Sequence, residues 1–476
     1  MAQRDGVGTE GRGWNRGTGL VFQFDLGQIG TLTPSPCSNP VPLYHFPRPQ
    51  LTRVIVSTMN ARERKVLRLA IRAGEIMLKS GAEVYRAEST IERICQVCDI
   101  PYVQSFITST DILVSLGNNE EQAEVQTILK RVKHSKTDLE KISQIHTFVG
   151  RFTVAAPHSE ESIEAGMEEL ERIDATTGFD FPVRLLALVL ISAFFTMMNY
   201  GSFLDGLATI GVGIVTYLFS LMIKRLQVNQ FIVTFTSCFV AAALALLVFN
   251  IGFCSSLSAM IIGSIVVFLP GVPITNAVRD LLAGDMLSGV SRGVESLLTS
   301  IAIAGGVGLL LRIAPLPVHP DVYHEFFYPL LLVFAFLGTV GIAIIVNIPR
   351  RYLVSAGAIA ACGWAVYELA IMTGNSRIIA CFLGTCVIAL IAEIVTRITK
   401  NTATLFIIPA IYPLVPGKIM FAAMLEMINN NLDAAVSIGL EAVLVAGSIA
   451  VALLIVISLT RIIAMVYGRI RDLIQA

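Results

Sequence analysis

The chain opens without a sustained period. Residues 1–60 scatter Gly, Pro and Arg among short apolar stretches and read as a disordered tail. Alternatively, translation starts at Met59 and the block is an upstream artefact. Its longest apolar run is too short for a signal-peptide core, and it has no small-residue cleavage site. From Asn60 the pattern changes. Leu67, Ala70, Ile71, Met77 and Leu78 recur at helical spacing, with Glu75 and Lys79 an i,i+4 pair, which predicts a helix over Asn60–Lys79. Gly74 lies on the stripe, where it costs about 1 kcal/mol against Ala, and Gly81 ends the pattern. Val84, Ala87, Ile91, Ile94, Cys95 and Cys98 predict a second helix over Ala82–Cys98. Tyr102–Leu116 is rich in Val, Ile, Thr, Phe and Tyr and predicts one or two strands, with Ala123–Val132 another. Thr137 and Glu140 form a capping-box pattern that predicts a helix to about Phe148. Ser159, followed by Glu160 and Glu161, opens a last helix to about Ile173. Residues 61–180 therefore read as a small soluble α+β domain.

Past residue 180 the polar positions thin out and apolar runs of about 20 residues repeat, the length that crosses a bilayer. Ten spans are expected: Arg184–Tyr200, Leu204–Ile223, Phe231–Phe249, Phe253–Leu269, Val290–Leu311, Tyr328–Val346, Leu353–Met372, Ile378–Val395, Ala403–Val415 and Ala434–Ile463. Charge sharpens the division. Charged side chains occupy 35 of the 120 positions in 61–180 but 27 of the 296 in 181–476. The whole chain is 54% hydrophobic with zero net charge, which excludes a disordered chain and gives no basic excess for nucleic acid. Twelve basic residues of the membrane part, from Arg184 to Arg471, fall on one side of the expected spans. Arg312, Arg377 and Lys418 fall on the other. That bias orients the protein with both termini and the 61–180 domain in the cytoplasm.

The membrane part repeats itself. Val290-Ser291-Arg292-Gly293-Val294-Glu295 matches Val436-Ser437-Ile438-Gly439-Leu440-Glu441, Pro270-Gly271 matches Pro416-Gly417, and Ile261-Ile262 matches Ile407-Ile408, all at one offset of 146 residues. Five spans lie in each copy, so the second copy is inverted. The expectation is a polytopic α-helical protein built as a 5+5 inverted repeat, residues 181–312 and 313–476.

The ninth expected span has 13 residues, about 20 Å of helix against about 30 Å of hydrocarbon. It holds Pro409 and Pro413, and Pro416-Gly417 follows; the fourth ends at Pro270-Gly271-Val272-Pro273. Proline removes a backbone donor and leaves helix ends, which survive at membrane depth where protein buries them or where they line a cavity. Matching breaks in two halves point to a transporter site; ordinary loop prolines at span ends are the plainer reading. Glu295, Glu368, Glu393, Glu426 and Glu441 are acids in or near spans, and the repeat relates Glu295 to Glu441. A carboxylate there could carry a proton or meet a substrate ammonium, or pair at an interface, Glu295 with Arg279 or Arg292. Asn276, Arg279, Asp280 and Asp285 could line a vestibule or a solvated loop. Ser291, Asn401 and Thr402 are candidates to recognise a hydroxyl.

Cys95-Gln-Val-Cys98 is a C-x-x-C, but both thiols lie on the apolar stripe and no second pair or His cluster follows at zinc spacing. They read as core thiols, and no metal or cofactor is expected. His134, His146 and His158 make no convincing catalytic set, and no P-loop is present.

The run Ser80-Gly81-Ala82-Glu83-Val84-Tyr85-Arg86-Ala87-Glu88-Ser89-Thr90-Ile91 resembles the opening motif of the threonine/serine exporter family, with Ala87 and Ser89 where that motif usually has Val and Asp. Leu269-Pro270-Gly271-Val272-Pro273 through Asn276, Arg279-Asp280-Leu281, Ser288 to Arg292, and Pro413-Leu414-Val415-Pro416-Gly417 also resemble it. The resemblance covers residues 61–476 and joins the family's two modules in one chain. It implies a proton-coupled inner-membrane exporter of small hydroxyl amino acids, in which Glu83, Tyr85, Arg86 and Glu88 belong to the soluble module's motif. The expected partners are an amino acid, protons and the lipid bilayer, and a homo-oligomer is compatible with this. A passive channel or facilitator, and a membrane-tethered hydrolase using residues 61–180, stay open as alternatives.

Overall fold

The computed structural model describes residues 61–100, 103–116, 126–132, 136–155, 159–314, 326–428 and 430–475. The expected tail, His134 and His158 lie outside the described residues. The N-terminal block holds α1 (Ala61–Lys79), α2 (Val84–Val97), β1 (Val103–Ile107), β2 (Asp111–Leu116), β3 (Gln126–Arg131), α3 (Leu139–Phe152) and α4 (Glu160–Ala175). The apolar stripe of α1 is buried against α2, α3 and α4. Gly74 is explained by that packing: a Cβ there would lie 2.6 Å from Ile91 Cδ1, so the helix gives up propensity for a close approach to α2. The expected Glu75–Lys79 pair forms at 2.8 Å, and Arg72 joins Glu75 at 3.1 Å. The strands form one antiparallel sheet in the order β1-β2-β3, with Ile107 opposite Ile112 and Asp111 opposite Arg131. Ile112 and Val114 face the core, while Phe106 and Leu129 are exposed.

One expected cap differs. Asp138, not Thr137, caps α3, its Oδ1 accepting from Lys141 N at 3.3 Å. The reason lies far along the chain. Leu139 N and Glu140 N donate to the carbonyls of Val346 (3.0 Å) and Asn347 (2.8 Å), so the first helical donors are satisfied from outside. Ser159 caps α4 as its pattern predicts, accepting from Ser162 N.

The remaining elements are α5 (Phe181–Met198), α6 (Phe203–Arg225), α7 (Gln230–Asn250), α8 (Leu257–Ile265), α9 (Gly271–Ala283), α10 (Met286–Ile313), α11 (Tyr328–Ile345), α12 (Leu353–Met372), α13 (Arg377–Thr399), α14 (Thr404–Ala410), α15 (Gly417–Ile428) and α16 (Leu432–Gln475). Among the described residues eight helices are long and apolar enough to cross a membrane: α5, α6, α7, α10, α11, α12, α13 and α16. The chain has the form of a polytopic α-helical membrane protein. The expected fourth and ninth spans are not full helices. They are α8 with a 3-10 turn at Val266–Phe268, and α14 with a 3-10 turn at Tyr412–Leu414. Pro270 ends the first, and Pro409, Pro413 and Pro416 interrupt and end the second.

The two halves run through the same order of elements. The 3-10 turns, the helices beginning at Gly271 and Gly417, and the helices beginning at Met286 and Leu432 each start 146 residues apart. Contacts between the halves are paired as well: α5 packs on α11, α9 on α16, and α10 on α15. Large apolar side chains such as Leu207, Leu218, Leu440 and Val443 are exposed on α6 and α16, where hydrocarbon can cover them. Asp205 is fully buried at the start of α6. It completes a capping box with Ser202 and accepts from Ser255 N at 2.7 Å and Ser255 Oγ at 2.9 Å, clamping α6 to the α7–α8 connection.

Candidate functional site

The two Pro-Gly breaks come together. Leu269-Pro270-Gly271 opens α9, and its Leu269 carbonyl accepts from Tyr412 Oη at 3.2 Å, across 143 residues. Gly271 permits the approach, since a Cβ there would stand 2.7 Å from Val415 Cγ1. Beside the contact is a cavity of about 40 Å³, lined by Phe195, Asn199, Gly271, Trp364, Tyr412 and Val415 among others. That is room for roughly three waters. Trp364 is 5% exposed, and its indole Nε1 has no hydrogen-bond acceptor among the described residues. An orphan donor of this kind in a packed interior costs free energy unless something meets it.

A second polar cluster joins the N-terminal block to the helical part. Glu83, 2% exposed at the start of α2, accepts from Thr404 Oγ1 at 3.1 Å, the first residue of α14. Arg86 pairs with Glu83 at 2.5 Å. Burial pulls the Arg86 guanidinium down, but Glu83, Tyr85 and more distantly Glu393 outweigh it, so it is held above its ordinary value. Arg292 on α10 donates to Asp280 at 2.9 Å and to the Ala82 carbonyl at 3.1 Å, tying α9, α10 and the motif together. Asn401 accepts from Ser143 Oγ on α3 at 2.6 Å and donates to Tyr352 Oη at 2.8 Å. Thr402 is buried beside them, and its hydroxyl has no partner among the described residues. The motif run therefore reaches the second broken element at Thr404 directly, and α9 through Arg292, by short polar contacts. Burial raises Glu88, and Glu92 and Asp285 add to that by like charge, with Ser105 partly opposing.

The other expected site residues scatter. Glu295 is exposed on α10, and Arg292 turns to Asp280 instead. Glu441 is paired with Arg377, the first residue of α13, at 2.8 Å. The two repeat-related carboxylates thus have different surroundings, and α10 and α16 do not pack on each other extensively. Pro416 is buried, while the side chains of Gly417, Lys418 and Arg279 lie outside the description. Asn276 is half-buried on α9, and Ser291 is exposed, 3.5 Å from Ser109 Oγ. Glu393 on α13 is half-buried. Trp364, Tyr412, Thr404, Ser143 and Asn347 were not singled out from the sequence; only the position of Tyr412 inside the second break could have signalled one of them. Cys95 and Cys98 are buried and free, and burial, with Cys98 and Glu92, pushes the Cys95 thiol up to about 12. Among the described residues no group of His, Cys, Asp and Glu could hold a metal ion.

The family model described as "Putative threonine/serine exporter" matches residues 68–314, and a second, "Threonine/Serine exporter, ThrE", matches residues 331–459. A protein of Mycobacterium tuberculosis named "Probable threonine/serine exporter" is 24% identical over 398 residues, 80% of this chain and 73% of that one. The "Threonine/serine exporter" of Corynebacterium glutamicum is 22% identical over 272 residues, 56% of this chain and 55% of its own. No solved structure matches. The first family model starts within α1, passes through Glu83 and Arg86 and ends past Arg292; the second takes in Trp364, Thr404 and Tyr412, so that both halves of the junction fall inside the match and the chain belongs to the threonine/serine exporter family.

Proposed function

We propose that this chain exports threonine and serine across the cytoplasmic membrane, driven by proton entry, through the junction of the two Pro-Gly breaks. The carrying observation is the buried, acceptor-free indole Nε1 of Trp364, on a residue that lines the cavity beside that junction. A hydroxyl amino acid offers the acceptor that this donor lacks among the described residues. The cavity is too small for a bound zwitterion in this state, so transport requires the breaks to part. The residues of the path are Pro270, Gly271, Pro416, Gly417, Asn276, Arg279, Asp280, Ser291, Glu393, Asn401 and Thr402, with Trp364 and Tyr412 added from the geometry. Glu295 and Glu441 carry the proton or meet the ammonium. Protonating Glu441 releases Arg377, which gives coupling a physical handle.

In this reading the membrane part is ten segments as a 5+5 inverted repeat, 181–312 and 313–476, eight of them full helices and two broken. The mutual packing of α5 with α11, and the reciprocal pairs α9 with α16 and α10 with α15, support a two-fold relation between halves. The 61–180 domain is cytoplasmic, as are both termini, and Glu83 and Arg86 hold it against the inner mouth at Thr404.

The test is reconstitution in liposomes, with threonine and serine flux measured with and without an imposed proton gradient. Flux should rise with the gradient, Glu441→Gln should remove that rise, and Trp364→Phe should lower flux under both conditions. Flux indifferent to the gradient overturns the coupling and favours a passive facilitator. Normal flux in Trp364→Phe removes the cavity from the path.

A further inference from the structure

We propose that the groove between the N-terminal block and the α11–α12 corner is a binding site for a phosphate-bearing anion. The groove is separate from the Pro-Gly junction and encloses about 930 Å³, within the range of small-molecule sites. Its rim brings four guanidinium groups from three places: Arg151 on α3, Arg172 on α4, and Arg350 and Arg351 at the corner. Arg151 is paired with Glu169 and Arg172 with Glu168 at 3.5 Å, so the positive charge offered to an occupant is that of Arg350 and Arg351, with Glu140 the remaining acid of the lining. Between them the floor is lined by the neutral polar groups Ser143, Gln144, Thr147 and Thr176, whose hydrogen bonds within the protein hold them in place.

The corner arginines are positioned by stacking rather than by carboxylates. Arg350 lies over the Phe179 ring at 5.5 Å, and Arg351 over the Tyr352 ring at 4.6 Å. The nearest carboxylate to Arg350 is Asp180 at 3.9 Å, and Arg351 has no ion pair among the described residues. Stacking holds a guanidinium by its face and leaves its in-plane N–H groups free, the fork that phosphate oxygens fit. By contrast, Arg72, Arg86 and Arg292, and on the groove's own rim Arg151 and Arg172, are each paired with a nearby carboxylate. The groove also lies where α5 and α12 begin, at the polar ends of two apolar helices. Both a phospholipid headgroup and a free phosphoester reach that level. Ser143 belongs to the floor and donates to Asn401 at 2.6 Å, so an occupant would touch the same side chain that braces the start of α14.

The experiment has two arms, both on the full chain. In uncharged detergent, the thermal midpoint is followed against sodium pyrophosphate at constant ionic strength. In vesicles, it is compared between phosphatidylcholine alone and phosphatidylcholine with phosphatidylglycerol. Wild type should be stabilised saturably, and the double variant R350Q/R351Q should need at least about tenfold more of the anion, as loss of charge-assisted hydrogen bonds requires. T147E, which puts a carboxylate on an exposed floor position, should respond in the same way. A response to pyrophosphate without one to phosphatidylglycerol identifies a free phosphate-bearing anion as the ligand, and a response to phosphatidylglycerol identifies a headgroup; either supports the site if the variants lose it. No response of wild type in either arm, or equal responses from wild type and variants, overturns it. If the variants fail to fold, hydrogen exchange on wild type decides. Slowing by the anion confined to residues 143–151 and 349–352 supports the site, and its absence there overturns it.

Discussion

Gly271→Ala tests the meeting of the two breaks directly. The added Cβ would lie 2.7 Å from Val415 Cγ1, 3.3 Å from its Cβ and 3.4 Å from its Cγ2. Carbon atoms in contact prefer about 3.5–4.0 Å, so the overlap with Cγ1 approaches an ångström. Val415 is β-branched and stiff at χ1, which limits its ability to swing away. Overpacking of this size costs about 1–3 kcal/mol. Ala gains at most about 1 kcal/mol over Gly in a helix, and less at the first position of α9. The net expectation is a loss of about 1–2 kcal/mol, with slower threonine flux. Val415→Ala alone opens a partly buried space and should cost about 1 kcal/mol. The double variant removes the overlapping methyls, so its loss should fall short of the sum by at least about 1 kcal/mol, and flux should recover. Unfolding free energies in mixed micelles for wild type, both single variants and the double variant give the coupling. Losses that add to within about 0.5 kcal/mol would mean that the two positions do not touch, and would refute the reasoning.

Glu83→Ala breaks a buried ion pair and the hydrogen bond from Thr404, so it should cost about 3–5 kcal/mol and speed hydrogen exchange in α2; unchanged exchange there would contradict the docking. Burial tends to raise the Glu75 carboxyl, but Lys79, Lys130 and Arg72 together hold it below its ordinary value. A carboxyl depressed in the folded state adds stability above the unfolded value of about 4.3 and loses it as pH falls through the folded one. The thermal midpoint should therefore drop on acidification below about pH 4, and Glu75→Gln should flatten that drop. Cys95, buried and with its thiol pushed up to about 12, should resist alkylation at pH 8 until the protein unfolds; rapid labelling of native protein would contradict the core reading.

Where a pattern depends on neighbours in sequence, it was legible. The stripe of α1, the cap at Ser159 and the span Leu353–Met372 all follow from local periodicity and end signals. The prolines marked both breaks for the same reason. What the breaks touch was not legible, because Tyr412 reaches Leu269 across 143 residues and no local pattern encodes that. The Thr137 cap misled for the related reason that distant carbonyls satisfy the first donors of α3. The repeat pattern relates Glu295 to Glu441 in sequence, yet their surroundings differ. Arg377 opens α13 and meets Glu441, whereas α7, which holds the same place in the element order, opens with Gln230, and Glu295 has no ion pair among the described residues. Asp205 stands three residues after Ser202, a spacing from which the capping box is legible locally, whereas its bonds to Ser255 are not.

The corner at Val346–Asn347 has a consequence for how the protein is made. Asn347 donates to Asp138 across 209 residues, accepts from Phe179 N, and with Val346 receives the first donors of α3. A ribosome working at roughly 5–20 residues per second needs about 10–40 s to add that much chain. During that interval the block around α3 has left the ribosome without the carbonyls that complete it, and five helices long enough to cross the bilayer (α5, α6, α7, α10 and α11) are made before those carbonyls arrive. The N-terminal block is therefore synthesised before the helices it packs against and completed only after them.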